Sequence, residues 1–153
     1  MSELPPIQHA TLVQAPLAAC FELFGSAQGW DRWFTQGMQM QARVGGTMRF
    51  RWVEFGADRV TAEEDGLIEH VDPPKLLVFR WQMQRIDGGT RVSLKFSAEP
   101  VAADDAAATR IEVTDAGYPD DANGRRCWME CATGWGEALT LARFAAESAL
   151  HCR

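Results

Sequence analysis

Two side chains stand where chemistry would use them. The corner Asp72-Pro73-Pro74-Lys75 reads as a hairpin turn, because proline cannot serve a central ladder. Closing that hairpin sets Ile68 opposite Phe79 and His70 opposite Leu77, so His70 is expected on the inward, apolar face. Asp115 follows Ile111 and Val113 onto the inward face of a later strand. A carboxylate taken out of water needs a hydrogen-bond donor, a proton or a ligand. An imidazole and a carboxylate converging in an apolar hollow could orient a bound molecule or trade protons with it. Each could equally lie at a sheet end, satisfied by water.

The remaining reactive residues form weaker patterns. Cys127 and Cys131 are spaced to share one helix face, but no second His or Cys pair has ligand spacing, so no metal is expected. The chain has no nucleophile elbow, phosphate loop or HExxH motif, and Tyr118, His9 and His151 fall outside any catalytic pattern. No cofactor is expected. Cys20, Cys127, Cys131 and Cys152 are read as reduced thiols, because a chain of 153 residues with 46% apolar content needs no disulfide framework.

The elements that would position these groups follow from periodicity. Ile7 to Val13 reads as a first strand, and Pro16 suits the first turn of a short helix whose apolar face is Phe21, Leu23 and Phe24. Trp30, Trp33 and Phe34 have the spacing of a second short helical turn. Alternation then takes over. Met48, Phe50 and Trp52 form one strand after Gly45-Gly46, and Gly66 to Val71 forms the next. Leu76 to Met83, a strand through Val92, Leu94 and Phe96, and a last strand through Ile111 and Val113 complete the series. Gly88-Gly89 closes one hairpin, and the Ala/Asp-rich run Ala102 to Ala108 reads as the tip of another. From about Asp121 the period becomes three to four, with Trp128, Cys131, Trp135, Leu139, Ala142 and Ala146 along one stripe of a long helix.

The expected fold is therefore α+β: a curved antiparallel sheet of about six or seven strands wrapped around a long C-terminal helix, with two short helices after the first strand. Residues 1–153 are read as one domain. Gly134 and Gly136 inside the long helix each cost about 1 kcal/mol relative to alanine, and close approach of helix backbone to the sheet or to a loop, with Trp135 aimed inward, is the expected offset. Six Trp and eight Phe tile a concave surface with rigid rings that rarely fill it without gaps, although the same rings could pack a dry core.

Composition narrows the partners. With 15 Lys+Arg against 21 Asp+Glu the net charge is −6, which argues against nucleic acid. No run approaches the ~18 apolar residues of a membrane span, and the first 30 residues lack the pattern of a leader. A cytoplasmic location is expected. An exposed strand edge would allow a homodimer, though no residue demands one.

Five stretches resemble one family. They are Trp33-Phe34, Val44-Gly45-Gly46, the run Gly66 to Pro74 with Leu76 and Trp81, Thr109-Arg110-Ile111 through Gly117-Tyr118, and Gly134-Trp135. Together they resemble the START-like helix-grip superfamily, in particular the branch named after the activator of the heat-shock-protein ATPase. The resemblance implies an apolar cavity between sheet and long helix that takes a small hydrophobic or aromatic molecule. Its walls would be Phe50, Trp52, Ile68, Phe79, Trp81, Phe96, Val113, Trp135 and Leu139, with His70 and Asp115 setting orientation. His70 stands where such domains often carry Glu, and Asp115 where they often carry His, an apparent exchange that would preserve a complementary pair. A cyclase-like or hydrolase-like enzyme using His70 and Asp115 for proton transfer is the second implication, and a chaperone-ATPase co-regulator the third.

Overall fold

The computed structural model describes residues 2–83, 85–100 and 107–151. β1 (Ile7–Val13) leads into α1 (Leu17–Gly25) and α2 (Ala27–Asp31). β2 (Gln39–Met40), β3 (Thr47–Phe55), β4 (Val60–Asp72), β5 (Leu76–Gln82), β6 (Thr90–Glu99) and β7 (Ala108–Ala116) follow, and α3 (Ala122–His151) completes the order. The strands make one antiparallel sheet in the order β1-β7-β6-β5-β4-β3-β2, so the first strand returns to pair with the last. Residues 101–106, which include most of the expected hairpin tip, lie outside the described residues.

Period-two alternation does build the inner face. Met48, Phe50 and Trp52 on β3, Leu77, Phe79 and Trp81 on β5, Val92, Leu94 and Phe96 on β6, and Ile111, Val113 and Asp115 on β7 are all buried. Against this face α3 lays Cys127, Trp135, Ala138, Leu139, Ala142 and Ala146. The Asp121 carboxylate caps α3 by accepting from the Gly124 N–H at 2.7 Å. The second short helix starts earlier than its aromatic spacing suggests: Ser26 accepts from the Gly29 N–H at 3.0 Å, and Trp33 and Phe34 fall in the turn after it. The Asp72-Pro73-Pro74-Lys75 corner is a turn, closed by the Lys75 N–H on the Asp72 carbonyl at 2.7 Å.

Two bulges set the register, and both bear on the candidate site. In β3 the ladder slips between Trp52 and Phe55, where Glu54 takes a left-handed φ of 47° and donates its N–H to the Thr61 hydroxyl. The slip turns Phe55 onto the inner face, paired with Val60. In β4 it falls between Ile68 and His70. Ile68 does face Phe79, but His70 then lies opposite Val78 and Val71 opposite Leu77. One extra residue reverses every later side chain, so His70 is exposed on the outer face rather than inward.

β4 also begins at Val60, six residues before the expected start at Gly66. Its inward positions therefore include Ala62 and Glu64, the latter opposite Phe50. Gly66, facing Trp81 on β5, has room for little more: an added Cβ would stand 3.3 Å from the Met48 Cβ.

Candidate functional site

Much of the expected cavity wall is occupied by its own neighbours. Phe50 lies 5.7 Å from Trp52, 5.7 Å from Phe79 and 5.5 Å from Trp81, ring centre to ring centre. Phe96 packs on Phe21 and Phe24 from α1. Ile68, Val113 and Leu139 are buried with them. These residues are core.

Open apolar space lies instead at one end of the sheet, under the middle of α3. There a groove of about 230 Å³ is walled by Phe34, Trp52, Phe55, Trp81 and Met83, with Cys131 and Gly134 on the helix side. It runs into a second hollow beside Trp135 that shares Trp81, Arg85, Cys131 and Gly134. Trp52, Trp81 and Trp135 are thus the expected wall residues that border this open space. Gly134 gives the helix no close approach to the sheet: a Cβ there would meet nothing within 4 Å, and one at Gly136 only the His9 ring at 3.7 Å. Its lack of a side chain leaves the groove open.

The groove has polar fittings that the period-two alternation of β4, extended back from Gly66 to Val60, places on the inner face. Glu64 Oε2 is buried without a hydrogen-bond partner, and so is Trp81 Nε1, on a ring only 9% exposed. Burial pushes the Glu64 carboxyl above its ordinary range, a rise opposed by the nearby Trp81 N–H and, less, by Arg85. Arg85 is itself engaged, with Nη1 2.8 Å from Glu130 Oε2.

Asp115 is inward as expected and fully buried, but its partners are not His70. The Tyr118 hydroxyl donates to Oδ2 at 2.6 Å and the Trp135 indole N–H donates to the same oxygen at 3.0 Å. Oδ1 is left without a partner. Burial raises the Asp115 pKa, opposed by hydrogen bonding from Tyr118, Trp135 and Thr90. Burial beside this carboxylate pushes the Tyr118 phenol well above its ordinary value, and burial pushes the Cys131 thiol up to about 11. The cluster is linked to the groove through Trp135, which donates to Asp115, and Cys131, which contacts Tyr118; neither Asp115 nor Tyr118 lines the groove itself. Tyr118 lies beyond the alternation of β7: Gly117 intervenes, with φ at 113°, and the tyrosine hydroxyl reaches back to Asp115.

His70 and Asp115 do not meet. They lie on opposite faces, with β5 and β6 between their strands, a lateral separation of roughly 14 Å at the ~4.8 Å strand spacing. The proton-transfer pair expected from the apparent exchange is therefore not assembled.

Among the described residues no group of His, Cys, Asp and Glu is arranged to hold a metal ion, and Cys20, Cys127 and Cys131 are free thiols. Among the described residues no helix is long and apolar enough to cross a membrane.

Known structures share the fold. A Bacillus halodurans protein is 18% identical with a TM-score of 0.73, covering 96% of this chain and 100% of its own. The Aha1 dimer from Colwellia psychrerythraea is 18% identical with a TM-score of 0.69, covering 94% and 97%. CalU16 from Micromonospora echinospora is 18% identical with a TM-score of 0.71, covering 95% and 78%. No curated protein matches. The family model described as Activator of Hsp90 ATPase homolog 1-like protein matches residues 14–146, and with the wrapped sheet, the long closing helix and this span of agreement the chain belongs to that family.

Proposed function

We propose that the protein binds a small hydrophobic or aromatic molecule in the groove between the ends of β3, β4 and β5 and the middle of α3. The observation that carries this reading is the coincidence of open apolar space with two buried polar atoms that lie near one another but form no well-aligned hydrogen bond, Glu64 Oε2 and Trp81 Nε1. Sites for small ligands join apolar walls to a few convergent polar groups, and a buried polar group left unpaired costs about 1–3 kcal/mol until something meets it. Affinity would come from apolar area removed from water, at about 25 cal/mol per Å² before ordering costs.

Gly134 offers a clean test, since it lines the groove and a Cβ added there meets nothing within 4 Å, leaving room for a larger side chain to fill that space. The uncharged fluorescent probe N-phenyl-1-naphthylamine is expected to bind saturably to the wild-type chain, with at least a tenfold loss in Gly134→Leu at unchanged or higher melting temperature. Equal binding by Gly134→Leu would place the probe elsewhere and sink the proposal.

A further inference from the structure

The charges around the groove are unbalanced in one direction. Glu64 and Glu137 both line it, and neither forms an ion pair among the described residues. Among the described residues the one cation on the wall, Arg85, is paired with Glu130 at 2.8 Å. Glu64 also projects from the inner face, opposite Phe50 on β3, and lines the groove with Trp52 and Trp81; it is half-buried, with Oε2 shielded from solvent. Trp52 and Trp81 stack 6.4 Å apart at 28°, and Phe34 sets its edge to Trp52 at 5.4 Å and Phe55 at 5.3 Å.

Aromatic faces carry negative potential and attract organic cations, more strongly where water is excluded. A half-buried carboxylate that forms no ion pair and has one shielded oxygen does the same and adds a directional acceptor. Resting on the groove reading above, we infer that the ligand class is an organic ammonium: an amine or quaternary ammonium carried on an aromatic or alkyl body, with Glu64 as its counter-ion. The cation replaces the solvation that burial has taken from Glu64, and the apolar body covers Trp52, Phe55 and Met83. An anionic ligand would face two carboxylates with no free cation on the described wall. A neutral one would leave Glu64 without a counter-ion, met only by the nearby Trp81 N–H.

Three probes of one shape separate the possibilities: 1-naphthylmethylamine, 1-methylnaphthalene and 1-naphthylacetate, titrated calorimetrically into the wild-type chain at neutral pH. The amine is expected to bind at least tenfold tighter than the hydrocarbon, with the acid weakest. Glu64→Gln should bring the amine down to the level of the hydrocarbon while leaving the hydrocarbon unchanged, and Glu64→Asp should restore part of the preference. Equal binding of amine and hydrocarbon, or tightest binding of the acid, overturns the ammonium assignment and leaves the groove reading standing. No binding of any probe overturns both, and because the three-probe ranking is read on the wild-type chain it holds even if the Glu64 variants fold poorly.

Discussion

Asp115 shows how much a single residue's meaning depends on its partners. Its Oδ2 takes two donors, Tyr118 and Trp135, which join the end of β7 to the middle of α3. A hydrogen bond to a charged group contributes about 1.5–3 kcal/mol, so Tyr118→Phe should lower unfolding free energy by about 2 kcal/mol in a denaturant titration. Asp115→Leu, which strands both donors, should cost more than Asp115→Asn, whose amide oxygen can still accept. The pH dependence has a definite sign. Burial raises the Asp115 pKa above its ordinary 3.8, so the folded chain holds this proton where the unfolded chain has released it. Its stabilising contribution is complete below that ordinary value and is lost as pH rises through the raised one. Wild-type stability should therefore fall over that window by an increment that Asp115→Asn abolishes, with Glu64→Gln removing a second increment of the same sign. A slope unchanged in both variants would refute the assignment.

At the scale of elements, two glycines make opposite predictions from local geometry. Gly89 turns the β5–β6 hairpin at φ 67°, and a Cβ there would stand 2.0 Å from the Trp81 carbonyl oxygen. No rotamer relieves a backbone clash in a left-handed turn, so Gly89→Ala should destabilise by more than about 1 kcal/mol. Gly134, inside α3 and facing open space, should do the reverse: alanine there should raise stability by about 1 kcal/mol through helix propensity alone. Thermal melts of the two variants moving in the same direction would contradict this account. The β-bulges belong to this scale as well. Each adds one residue to a strand, and between them they bring Phe55 to the groove and send His70 to solvent.

For the molecule as a whole, stability should be graded across the sheet. β7 is flanked on both sides by the longest continuous pairings, nine residues against β6 and seven against β1, under fully buried Leu94, Ile111 and Val113. β2 is a two-residue edge. Opening free energy follows burial and ladder continuity, so amides of β6 and β7 should exchange last in native-state hydrogen exchange, and those of β2 first. Exchange fastest in β7 would mean that the β1–β7 closure does not hold the fold together.

The sequence by itself determined the inner face, the order of elements and the long closing helix, because these depend on local periodicity and on Gly and Pro punctuation: Met48, Phe50 and Trp52, Leu77, Phe79 and Trp81, and the corner at Pro73-Pro74 all sit as their spacing demands. It also placed Asp115 correctly inward. Only the tertiary structure decided which polar groups share a space. A bulge is one residue of register, invisible to an alternating pattern, yet it reverses a side chain's face, and so His70 left the interior while Glu64, on a strand that begins six residues before Gly66, entered it. The partners of Asp115 come from a tyrosine folded back past a glycine and a tryptophan twenty residues on, a meeting that no sequence spacing encodes.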